Sequence, residues 1–185
     1  MIPNWLSALA ILAILIGCLC ALVMLLDLMR RPQPMAIMNL VWPITGLYAG
    51  PLGLWFYFKY NRAKSARHAA QHGDHDATQH HGGDGKPFPV IVATGSTHCG
   101  AGCTLGDIIA ESLAFAYPAI AVGFGWHSLF DDKMFAVWAL DFIFAFAFGI
   151  VFQYFAIAPM RGLSLRDGLI AALKADTLSL VSWQT

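Results

Sequence analysis

From Met1 to Leu26 the chain carries no charged side chain. At a helical rise of 1.5 Å per residue, such a run exceeds the roughly 20 residues needed to cross a hydrocarbon core. In lipid every backbone N–H and C=O must be satisfied within the protein, and a single helix does this by itself. A secretory signal would start basic and lead, past a small-residue cleavage site, into a polar mature domain. Here a second apolar run follows almost at once, so the first is read as a retained transmembrane helix. Composition agrees: 58% of the 185 residues are hydrophobic and 12% are charged, with a mean hydropathy of +0.61, far from a soluble globule.

The second run, Pro32 to Phe58, is also uncharged but holds Pro34, Pro43 and Pro51 with Gly46, Gly50 and Gly53. Proline removes a donor and crowds the preceding turn, so this span is predicted to be kinked or partly unwound. Residues 59–97 are polar and sustain neither helical nor strand periodicity, which predicts a flexible, His-rich extramembrane loop. Two more apolar segments follow, Leu105 to Phe130, interrupted by Pro118, and Met134 to Met160, which contains Asp141 and Gln153. The short "HSLFDDK" between them predicts an antiparallel pair. A last segment, Gly168 to Trp183, is short and contains Lys174 and Asp176. It reads as half a span, an interfacial helix, or a fifth span cut off by the chain end.

The expected fold is therefore all-α, a polytopic transmembrane helical bundle of four spans plus a short C-terminal hydrophobic helix. Residues 1–58 hold the first two spans, 59–97 the loop, 98–160 the cysteine motif with spans three and four, and 161–185 a loop and the short helix. Positive charge favours the cytoplasmic side. With the amino terminus inside, Lys59, Arg62, Lys64, Arg67, Lys86, Arg161, Arg166 and Lys174 are cytoplasmic, against Arg30, Arg31 and Lys133 outside. The His-rich loop is then cytoplasmic too. The net charge is zero and the basic residues are dispersed, which excludes a nucleic-acid surface. The expected partners are the lipid bilayer and either other membrane subunits or further copies of the chain.

The chemistry concentrates in "THCGAGCTLGDIIAES", residues 97–112. On a helix, positions four apart advance by about 40°, so Cys99, Cys103, Asp107 and Glu111 would trace one slowly turning stripe. Gly95, Gly100, Gly102 and Gly106 argue against regular helix before about Leu105, and a re-entrant turn would bring the sulfurs together as well. Thiolates favour soft ions such as copper(I) or zinc, and His98 is a third donor beside them. The competing reading is that both cysteines are small residues buried at a glycine-rich helix contact.

Charged groups facing lipid cost about 2.5–3.5 kcal/mol, so Asp107, Glu111 and Asp141 are expected to face the bundle interior or water, with Asp141 on a cation or proton pathway. The alternative for Asp107 and Glu111 is an interfacial place in the first turn of the third span, where the helix dipole favours carboxylates. In the loop, His68, His72, His75, His80 and His81 form a weak metal-collecting tract without fixed ligand geometry. Cys18 and Cys20 lie about 200° apart around the first helix, which suits packing rather than shared ligation.

Three blocks, "VWPITGLYAGPLGLWFY", "HCGAGCTLGDIIAE" and "LKADTLSLVSWQ", together resemble a family of small bacterial integral membrane proteins known mainly as a domain of unknown function. The resemblance implies a bacterial inner (cytoplasmic) membrane location and brings no activity. It implies that Trp42, Pro43, His98, Cys99, Cys103, Asp107 and Asp176 belong to recurring blocks. Members of that family typically continue beyond the position of Gln184, which implies a truncated or divergent last helix here.

The leading functional expectation is a membrane protein that binds, and moves or delivers, a soft transition metal ion, copper or zinc. Two other classes stand against it. One is an accessory subunit of a larger membrane complex, its aromatics Trp55, Phe56, Phe142, Phe144, Phe146 and Phe148 facing a partner or lipid. The other is a membrane thiol oxidoreductase using Cys99 and Cys103.

Overall fold

The structure, a computed structural model, describes residues 3–63 and 87–184, without the side chains of residues 160 and 178–184. The five loop histidines, His68, His72, His75, His80 and His81, lie outside the described residues. Among the described residues the regular structure is helical: α1 Asn4–Arg30, α2 Met38–Phe56 running into a π turn Tyr57–Asn61, α3 Phe88–Ala116, α4 Pro118–Gly123, α5 Lys133–Arg161 and α6 Leu165–Gln184. Three of these, α1, α3 and the Lys133–Pro159 part of α5, are long and apolar enough to cross a membrane. The kink expected in the second segment is present at Gly50, where φ is 51° and ψ −133° inside α2. Pro51 disfavours helical geometry in the residue before it, and only glycine takes this left-handed conformation without penalty.

Two expectations need correction. Residues 59–97 do not form one loop, because Phe88 to Thr97 belong to a helix long and apolar enough to cross a membrane, and the glycines do not delay that helix. Regular helix was doubted before Leu105, yet α3 begins at Phe88 and runs unbroken through Gly95, Gly100, Gly102 and Gly106. Glycine lowers helix propensity by about 1 kcal/mol relative to alanine, but inside an apolar bundle it lets two backbones touch, and that packing decides the outcome.

The chain forms two compact units, Met1–Thr97 and His98–Thr185. In the first, Gly17, Cys20, Met24 and Leu28 are the buried residues of α1, one stripe at helical spacing. This stripe meets α2 at close range: a Cβ at Gly17 would lie 2.5 Å from the Leu47 carbonyl oxygen, and one at Gly46 would lie 2.8 Å from the Ala21 Cα. Much of the rest of α1, including Leu9, Leu12, Leu19 and Leu22, is exposed apolar surface, as expected of a lipid-facing helix. Trp42 is buried against Tyr57, with ring centroids 5.2 Å apart.

A polar cluster closes the end of this unit. Asp27 accepts hydrogen bonds from Tyr57 Oη at 2.9 Å and from Arg62 Nη2 at 2.6 Å and Nε at 3.0 Å. The carboxylate in turn pushes the Arg62 pKa further up. Beside it the Gln33 amide donates to the Asn61 carbonyl at 2.8 Å, and the Thr94 hydroxyl to Asn61 Oδ1 at 3.1 Å.

In the second unit α3 and α5 run antiparallel, as the short connection predicted. A Cβ at Gly102 would lie 2.9 Å from the Gly149 Cα, and one at Gly106 would lie 2.7 Å from the Ala145 Cα. Small residues four apart on each helix therefore face one another, which is the close-packing motif of membrane helices. Below this contact Ala110, Ala114, Ala121, Val137 and Leu140 form an apolar core. Four of the seven phenylalanines of α5 make two ring stacks, Phe142 with Phe146 and Phe144 with Phe148. Lys133 Nζ donates to the Ala114 carbonyl at 3.0 Å and so caps the last turns of α3. Helix α5 ends on Gly162, left-handed at φ 58°. Helix α6 starts on Ser164, whose side chain accepts from the Asp167 N–H at 3.2 Å and donates to the Asp167 carboxylate at 2.7 Å, an N-terminal box of the Ser-x-x-acid type.

Candidate functional site

Cys99 and Cys103 lie one turn apart on α3, and their sulfurs are 3.9 Å apart. All four cysteines of the chain are outside any disulfide, with Cys18 exposed and Cys20 buried on α1. The predicted stripe exists and turns as it should. Cys99 is buried and Cys103 half-buried, whereas Asp107 and Glu111 reach the exposed side, because each step of four adds about 40°. The stripe thus serves two places: the thiols face inward, and the carboxylates reach a groove. Asp107 and Glu111 also lie in the later half of α3, so a dipole-favoured first turn does not explain them.

The inward place contains a residue that composition and spacing did not single out. Asp176 of α6 is completely buried, at 0% exposure. Its carboxyl group fills the space that a side chain at Gly149 would need: a Cβ there would lie 2.7 Å from the Asp176 Cγ. Both thiols are close enough to feel it, Cys99 most directly. Among the described residues neither Asp176 oxygen has a partner at hydrogen-bond geometry, and the Cys99 thiol is the nearby group that acts on it most. The signal available in the sequence was a lone acid between apolar neighbours in "LKADTLSLV". Lys174 two residues earlier disguised it as part of a solvated face.

The groove is a cavity of about 320 Å³ lined by Asp107, Trp138, Asp141, Phe142 and Ala145. Asp141 Oδ1 is buried there without a partner among the described residues. Glu111 stands near enough for its charge to act on both aspartates. The structure therefore brings Asp107 and Asp141 together around one opening with Glu111 nearby, and Cys99, Cys103 and Asp176 together inside the unit. His98 is buried next to Cys99 in the chain. Among the described residues, no group of three or more His, Cys, Asp or Glu side chains is in position to hold a metal ion as it stands.

No curated protein and no solved structure matches this chain. A family described as a domain of unknown function, DUF4396, matches residues 90–185. That span takes in nearly all of α3 and the whole of α4, α5 and α6, with both site cysteines and Asp107, Glu111, Asp141 and Asp176. From the paired thiols to the buried acid, the candidate site lies within the matched residues, and the chain belongs to the DUF4396 family.

Proposed function

We propose that this is a polytopic protein of the bacterial inner membrane that binds a soft transition metal ion, copper or zinc, through Cys99 and Cys103, and passes it toward the carboxylates of the groove. In this reading the kinked α2 is the fourth span, α6 is the short C-terminal helix, and the amino terminus and the His-rich segment face the cytoplasm.

The observation that carries the reading is the 3.9 Å between the two sulfurs. Two metal–sulfur bonds of 2.3 Å at a tetrahedral angle separate their sulfurs by about 3.8 Å, so an ion fits between these thiols with the backbone unmoved. A disulfide does not fit so easily. It needs Cβ atoms about 3.5–4.5 Å apart, and residues four apart on a helix hold theirs at about 5–6 Å. Oxidation would have to unwind α3, which favours ion binding over thiol oxidoreduction. The groove supports onward movement, since Asp107 and Asp141 line one opening with Glu111 near both.

The test is metal content after purification in mild detergent, followed by zinc(II) and silver(I) titration of the wild type and the Cys99→Ser/Cys103→Ser double variant. Silver(I) stands in for copper(I). Replacing thiolates by protonated hydroxyls should lower affinity by more than about 100-fold, the upper end of what outer-shell losses produce. Thermal stability should change little. Unchanged stoichiometry and affinity in the double variant would remove the site.

A further inference from the structure

We propose that Asp176 is the third ligand of this site, supplied by a different helix, and that with it the site prefers a divalent ion of zinc's character over a monovalent soft ion. The inference rests on the reading of Cys99 and Cys103 as metal ligands.

A fully buried carboxylate without donors is an expensive arrangement, and each such group calls for an explanation, an ion among the common ones. Asp176 is buried at 0% exposure with both oxygens unpartnered among the described residues. Its place is prepared by two glycines. Gly149 leaves the volume in which the carboxyl group sits, since a Cβ there would lie 2.5 Å from Oδ2. Gly168 lets α6 approach α5, since a Cβ at that position would lie 2.8 Å from the Ala158 Cβ and from a Tyr154 ring carbon. The result is a hard oxygen donor held beside two soft sulfur donors.

The three donors do not yet surround one point. An ion seated on the sulfurs would draw the carboxylate off Gly149 by rotation of one side chain, with the helices in place. The donor set then decides the ion. Two thiolates suit a soft monovalent ion, whereas zinc accepts sulfur and carboxylate oxygen together and asks for more than two ligands. Losing the oxygen should therefore harm zinc far more than copper(I).

The experiment uses the full chain in detergent, with zinc(II), cobalt(II) as its visible analogue, and silver(I) in place of copper(I). In Asp176→Asn, zinc(II) and cobalt(II) affinity should fall by about tenfold or more. The cobalt(II) visible bands should shift while the thiolate charge-transfer band persists, and silver(I) affinity should stay within about twofold. Zinc(II) affinity equal to wild type in Asp176→Asn, or equal losses for zinc(II) and silver(I), would overturn Asp176 as a ligand while leaving the thiol pair intact. If instead the double serine variant binds every ion as the wild type does, the underlying reading falls first.

Discussion

Asp27 in the first unit and Asp176 in the second are both acids on largely apolar helices, and both helices pack through glycine contacts. Their surroundings differ in kind. Asp27 sits in a ready-made set of donors, with Tyr57 Oη at 2.9 Å and Arg62 at 2.6 Å. Asp176 sits in a ready-made space, with neither oxygen at hydrogen-bond geometry to a described residue. An acid whose neighbours satisfy it is part of the architecture. An acid given room and left unsatisfied next to two thiols is kept for something the chain itself does not supply.

The largest effect should come from attacking the packing that both units share. Gly106→Leu forces a side chain into the Ala145 backbone, and Gly46→Leu forces one into Ala21. Backbone atoms cannot swing aside, so each should cost at least the upper end of ordinary overpacking, about 3 kcal/mol, in detergent unfolding. A tolerated Gly106→Leu would mean that α3 and α5 do not depend on this contact.

The next test separates the two acids directly. Asp27→Leu leaves the Tyr57 hydroxyl and the Arg62 guanidinium without their acceptor and should destabilise by about 1–3 kcal/mol, less to the extent that water reaches Arg62. Asp176→Leu replaces an unsatisfied buried carboxyl group by an apolar side chain of the same branching and larger volume, so in the absence of metal the gain offsets the crowding and it should cost less than Asp27→Leu. Melting of the two apo variants side by side measures the difference. Destabilisation by Asp176→Leu as large as that by Asp27→Leu would make Asp176 a structural acid and break the comparison.

The smallest stability effect is expected at Asp141. Asp141→Asn keeps the shape and some hydrogen bonding, so the melting temperature should stay within the equivalent of about 0.5 kcal/mol. Metal loading through the groove should fall, because the charge is gone. Wild-type loading in Asn, with lost stability only in Asp141→Leu, would reassign Asp141 to helix packing.

The membrane-helical class was legible because an uncharged run as long as Met1–Leu26 has few alternatives. The break in α2 was legible too, since proline acts on its own neighbours and Gly50 precedes Pro51. The start of α3 was not. Glycines that allow close helix contact and glycines that make turns look alike until their partner is known, and the partners Ala145 and Gly149 are far off in sequence. The spacing of Gly102 and Gly106, four apart and bordering an apolar run, was the usable clue. The Cys99 to Glu111 stripe was readable from helical geometry alone, but its division into a buried half and an exposed half depends on where α5 lies. Asp176 entered only through a resemblance, because nothing in its own neighbourhood says that Gly149 has left room for it.

That room has a consequence for how the sequence can change over time. With any larger residue at 149 the acid at 176 loses its present place, and with a small residue at 176 the glycine at 149 borders a void. The two positions, on different helices and 27 apart in the chain, form a single inherited character: lineages that keep one should keep both, and a lineage that loses one gains little by retaining the other.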